Sequence, residues 1–85
     1  MLTQALSMDL LRFALGLHGG SFDMATTFKN QALKLSNSIA EKRPRGYLAK
    51  LIKDTQDVLI RDDDKVAEDA LMYSVLLQNF ALKKL

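Results

Sequence analysis

Apolar residues recur along this chain at spacings of three and four. No stretch sustains the two-residue alternation and β-branched enrichment of a strand. The pattern predicts an all-α protein, a small antiparallel bundle of about four helices in one domain spanning 1–85. The helices fall near 3–18, 21–41, 47–60 and 64–84. The first starts near Thr3 or Ser7, either of which can cap, and presents Leu6, Leu10, Phe13, Ala14 and Leu17 before His18-Gly19-Gly20 stops it. Ser21 is the expected cap of the second, with Asp23 in the first turn complementing the helix dipole. Its seam reads Ala25, Phe28, Ala32, Leu35, Ile39, and Lys29, Asn30, Lys34 and Asn37 lie outside it.

Glu41 to Gly46 breaks the chain, because Pro44 disfavours helix at Arg43 and Gly46 loosens the turn. The third helix carries Leu48, Leu51, Ile52, Thr55 and Leu59 on one face, with Lys50, Lys53, Asp54 and Asp57 opposite. Any of Asp62, Asp63 and Asp64 can cap the last helix, and Lys83 and Lys84 suit its negative end. Short connections make neighbouring helices antiparallel.

The last helix has more apolar residues than one buried stripe uses. From Asp62 to Leu85, thirteen of twenty-four residues are apolar and they point nearly all round, whereas a surface helix needs a stripe of roughly 100°. The surplus must be covered by the chain's other helices or by another molecule. Met72, Val75, Leu76, Phe80 and Leu82 are therefore the expected partner-binding residues. Replacing Phe80 and Leu76 by Asp is expected to leave a folded protein and abolish the complex. An apolar closing helix is also what a chain cut from a longer protein would show.

Composition narrows the field. Hydrophobic content of 48% and 26% charge belong to a globule. A net charge of +2 is far from that of a chain built to coat nucleic acid. The absence of cysteine removes disulfides and thiolate zinc sites and leaves nothing that signals secretion. The apolar run from Met1 to Leu17 contains Asp9 and Arg12, which a signal peptide excludes. No run reaches the ~18 uninterrupted apolar residues of a membrane span. The expected location is cytoplasmic.

Candidate chemistry is sparse. Lys42, Arg43, Arg45, Lys50 and Lys53, beside Tyr47, could contact phosphates and stack on a base. The cluster is short, and Glu41, Asp54 and Asp57 dilute it, so a solvated loop explains it better. Asp62-Asp63-Asp64, with Glu68 and Asp69, lacks the alternate spacing and central glycine of a calcium loop, so a helix cap is the better reading. His18 has no second histidine, cysteine or serine–acid pair to work with. Met8, Met24 and Met72 read as core filler. Neither a GxxxxGK[ST] loop nor a GxGxxG fingerprint is present. No enzyme, cofactor, metal site or small-molecule substrate is expected.

One segment resembles a known family. His18-Gly19-Gly20, then Phe22-Asp23 and a helix with Ala25, Ala32 and Ala40, lead into Arg43-Pro44-Arg45-Gly46-Tyr47-Leu48-Ala49-Lys50-Leu51-Ile52. The order resembles the helical region preceding the motor module of certain bacterial AAA-type ATPases, over about residues 10 to 85 and most sharply over Arg43 to Leu48. The resemblance implies a module that recruits a substrate or partner. It implies no ATP hydrolysis here, since the nucleotide-binding loop, Walker B strand and arginine finger are missing.

The sequence thus predicts a non-catalytic helical module that binds another protein or a second copy of itself, with the AAA-type recruiting region as its specific form. A small bacterial immunity protein or antitoxin that neutralises a toxin by direct binding is the alternative. A nucleic-acid-binding module using residues 42–53 is the second alternative.

Overall fold

Glycine and proline set the boundaries that hydrophobic spacing alone leaves loose. The computed structural model describes residues 2–83 and contains helices α1 (Leu2–His18), α2 (Phe22–Glu41), α3 (Gly46–Ile60) and α4 (Val66–Lys83). Helix α1 stops on a Schellman motif. Ser21 N–H donates to Gly16 O at 2.8 Å and Gly20 N–H to Leu17 O at 3.2 Å. Gly20 supplies the left-handed backbone, with φ of 76°. Helix α1 already runs from Leu2, so Thr3 and Ser7 lie inside it and are not caps. Ser7 instead donates to Gln4 O, at 2.7 Å.

Ser21 does precede α2, yet its side chain makes no capping bond; only its carbonyl accepts, from Ala25 N–H at 3.0 Å. At the far end of α2, Arg43 takes the left-handed position, φ 52°, with its N–H on Ala40 O at 3.0 Å, and Pro44 blocks further helix. Helix α4 starts two residues later than its spacing suggests. The tight turn before it takes Val66 N–H to Asp63 O at 3.3 Å, while Asp63 Oδ1 accepts Lys65 N–H at 2.9 Å. Asp63 thus closes the turn ahead of α4, and the position expected of an aspartate cap is held by Lys65, whose carbonyl accepts Asp69 N–H at 2.9 Å. Lys83 sits in the last turn of α4; Met1, Lys84 and Leu85, and the roles expected of the last two, lie outside the described residues.

The helices pack as an antiparallel square in chain order. Helix α1 lies against α2 and α4, α3 lies more loosely against the same two, and among the described residues the backbones of the diagonal pairs stay apart. The body measures 34 × 21 × 19 Å. Small residues let α1 approach its neighbours closely. A Cβ built on Gly16 would stand 2.9 Å from Ala25 N, and Ser74 Oγ donates to Ser7 O at 2.8 Å. Leu6, Leu10, Phe13 and Ala14 of α1 meet Ala25, Ala32 and Ile39, Leu51, Ile52, Val58 and Leu59, and Val66, Ala70 and Leu77 in one core.

Phe28 and Leu35 of the predicted α2 seam are only half-buried, packed on the edge of that core. Each helix also buries one hydroxyl: Ser7, Ser36, Thr55 and Ser74. Gln56 Nε2 bridges α3 to α2 through Asn37 Oδ1 at 2.9 Å and Ser36 Oγ at 3.3 Å. Among the described residues no helix is long and apolar enough to cross a membrane.

Candidate functional site

The predicted partner-binding residues divide into two groups. Met72, Val75 and Leu82 are about half exposed on the outer side of α4. Leu76 and Phe80 turn toward α3 and pack against the core, and Phe80 stacks at an angle on Tyr47 with ring centroids 6.3 Å apart. Carboxylates at 76 and 80 would enter that packing, so those substitutions are not the harmless surface changes that spacing suggested.

The structure adds residues from α1 to the exposed group. Met8 (39% exposed) and Leu15 (54%) sit on its outer side, and Leu71 (46%) faces them from α4. The two stripes are adjacent. The Ser74–Ser7 bond fixes the register at one height, and at another Leu15, Ala67 and Leu71 line one cavity of about 450 Å³ with Ala14, His18, Asp64 and Glu68. Gln4, Met8, Leu11, Leu15 and His18 on α1 step by four and three; so do Leu71, Val75, Gln78 and Leu82 on α4. Each helix therefore carries a second stripe, outside the one that fills the core.

Away from its Asp64 and Glu68 end, this face is almost free of charge. From Ala70 to Leu82 there is no Asp, Glu, Lys or Arg. Helix α1 has only Asp9 and Arg12, which pair at 3.7 Å toward α2, where the Arg12 guanidinium lies 5.5 Å over the Phe28 ring. Burial pushes the Asp9 carboxyl above its ordinary range, and Arg12 offsets this only in part. The opposite side of the body is different: Lys34, Asn37, Lys50, Lys53 and Asp57 of α2 and α3 are exposed. Depletion of charge together with half-exposed aliphatic side chains marks the core of a protein interface more than free surface.

The basic residues Lys42, Arg43, Arg45, Lys50 and Lys53 are all exposed around the α2–α3 turn. Arg43 and Lys53 border a shallow cavity of about 220 Å³ otherwise lined by Ala40, Pro44, Ala49, Ile52 and Gln56. Tyr47, their candidate stacking partner, already leans on Phe80. In the acidic run, Arg61 holds Asp63 through two bonds of 2.9 Å and Asp69 through a third of 2.9 Å. That clamp keeps the Asp63 carboxyl below its ordinary range, with the Lys65 N–H helping, and commits two of the five carboxylates to the turn. Among the described residues no group of three or more His, Asp or Glu is placed to hold a metal. His18 ends α1, exposed at the rim of the α1–α4 cavity.

The α1 half of the face escaped the reading of the last helix alone. Its signal was present: once Leu6, Leu10, Phe13, Ala14 and Leu17 are assigned to the core, Met8, Leu11 and Leu15 form a leftover set at helical spacing. Compared with protein-family models, curated proteins and solved structures, the chain matches none.

Proposed function

We propose that this chain is a non-catalytic docking module that binds protein through the outer face of the α1–α4 pair. The supporting observation is the pairing of two adjacent apolar stripes, Met8 and Leu15 with Leu71, Val75 and Leu82, on a surface without charge from residue 70 to 82. Water contact with such a patch is unfavourable, and covering it removes that cost without stranding a buried charge. An AAA-recruiting region and a toxin-neutralising protein would both use the face in this way, and they differ in the partner held.

A photo-cross-linking side chain at Val75, compared with one at Lys50 on the opposite side, tests the reading in cells. Protein adducts are expected from position 75 and not from position 50, and the adduct's identity separates the two versions. Equal adducts from both positions, or none from position 75, would refute it.

A further inference from the structure

We propose that the cleft between the start of α2 and the α3–α4 turn binds a free amino acid with a large apolar side chain. The site is separate from the α1–α4 face and independent of the docking reading. Two local contacts build it. Ala25 rests on Gly16, where an added Cβ would stand 2.9 Å from Ala25 N, so the first turns of α2 lie close on α1. The Arg61 clamp on Asp63 and Asp69 holds the α3–α4 turn. Between these walls a cavity of about 300 Å³ opens over Phe13, Leu17, Ala25 and Val66. Phe22 also lines it, with its side chain 71% exposed.

The charges in the lining select the ligand. Arg61 and Asp63 are bonded to each other at 2.9 Å and so are already satisfied. Lys29 on the α2 wall and Asp62 on the turn also line the cavity, and neither makes an ion pair among the described residues. Thr26, one turn before Lys29, lines the same wall. A cation and a carboxylate that share one cavity without pairing suit a ligand carrying both charges. The ligand carboxylate would sit toward Lys29 and Thr26, its ammonium toward Asp62, and its side chain over Phe13 and Leu17. A simple carboxylate would gain Lys29 but meet Asp62, and a simple amine the reverse.

Size limits what the side chain can be. A cavity of roughly 150 Å³ holds a benzene ring, so roughly twice that volume takes phenylalanine or leucine with its charged head. The volume lies at the lower end of small-molecule sites, too small for a nucleotide. A ligand side chain in the cleft also covers the Phe22 ring and removes apolar surface from water.

Titration of the isotope-labelled full chain with L-phenylalanine, followed through its amide resonances, reads both place and affinity. Saturable shifts in the millimolar range are expected at Phe13, Leu17, Phe22, Thr26 and Val66, and none at Val75. Phenylacetate lacks the ammonium and phenethylamine lacks the carboxylate, so each should bind at least ~3-fold more weakly. L-serine, without an apolar side chain, should cause no saturable shift.

Variants assign the two charges. Lys29→Gln should abolish the preference for phenylalanine over phenethylamine, and Asp62→Asn the preference over phenylacetate. Phe22→Ala changes an exposed side chain, so it should weaken phenylalanine binding and leave the helical circular dichroism unchanged. Absence of saturable shifts, shifts centred outside the cleft, equal affinity for the three aromatic compounds, or selectivity that survives Lys29→Gln and Asp62→Asn would overturn the inference.

Discussion

Thr55 shows how a single atom can limit stability here. The residue is wholly buried and its hydroxyl has no hydrogen-bond partner among the described residues, a position that ordinarily costs about 1–3 kcal/mol. Thr55→Val keeps the branched shape and removes the orphan group. It is expected to raise stability by about 1 kcal/mol, or Tm by about 4–8 °C for a domain of this size, read by thermal denaturation. Gly16 is the opposite case. A methyl group there would press on the Ala25 backbone at 2.9 Å, and backbone cannot yield cheaply. Gly16→Ala is expected to cost about 1–3 kcal/mol by prying α1 from α2.

Two carboxylates shape the acid response in opposite senses. The Asp9 value is raised, so its contribution favours the fold below the ordinary 3.8 and is lost as pH rises through the folded value. The Asp63 value is lowered, so its contribution is present above 3.8 and lost as pH falls through the folded value. Urea melts of Asp9→Asn should show added stability at pH 7 that vanishes near pH 3. Those of Asp63→Asn should show a loss at pH 7 that persists down to 3.8 and fades only as pH falls below it through the folded value.

At the level of elements, the turns differ in how well their residues suit them. Gly20 occupies a left-handed cap that glycine adopts freely, and Gly20→Ala is expected to cost about 1 kcal/mol. Arg43 holds the corresponding position after α2 against its preference. Arg43→Gly is therefore expected to gain about 0.5 kcal/mol, the relief of strain exceeding the added freedom of the unfolded chain. Chemical denaturation of the two variants should show shifts of opposite sign.

The α1–α2 stop was legible because two glycines follow the last apolar residue, a local signal. Asp62, Asp63 and Asp64 read as equal candidates to cap α4, and Asp63 instead holds the turn before it. Its selection depends on Arg61, which reaches both Asp63 and Asp69 once α3 and α4 are folded back on each other.

For the whole molecule, the division of apolar residues between interior and exterior matters most. The residues of the α1–α4 face are about half exposed, so Leu71→Asp with Val75→Asp should change monomer stability by no more than about 0.5 kcal/mol per site. Phe80→Asp, by contrast, disturbs the packing on Tyr47 and the core and should unfold part of the population. Comparing the melting curves of these variants separates a binding face from core support.

The linear pattern by itself determined four helices, their approximate ends and most of the core, because side-chain direction along a helix follows from residue number alone. It also showed that α4 is apolar beyond its needs. Which of those residues face inward was decided by tertiary structure. Helix α1 docks on one flank of α4 and α3 on the other, so Leu76 and Phe80 are drawn toward α3 while Leu71 and Val75 stay outside. The same docking places the spare stripe of α1 beside that of α4, a conjunction between residues more than fifty positions apart that no local spacing encodes.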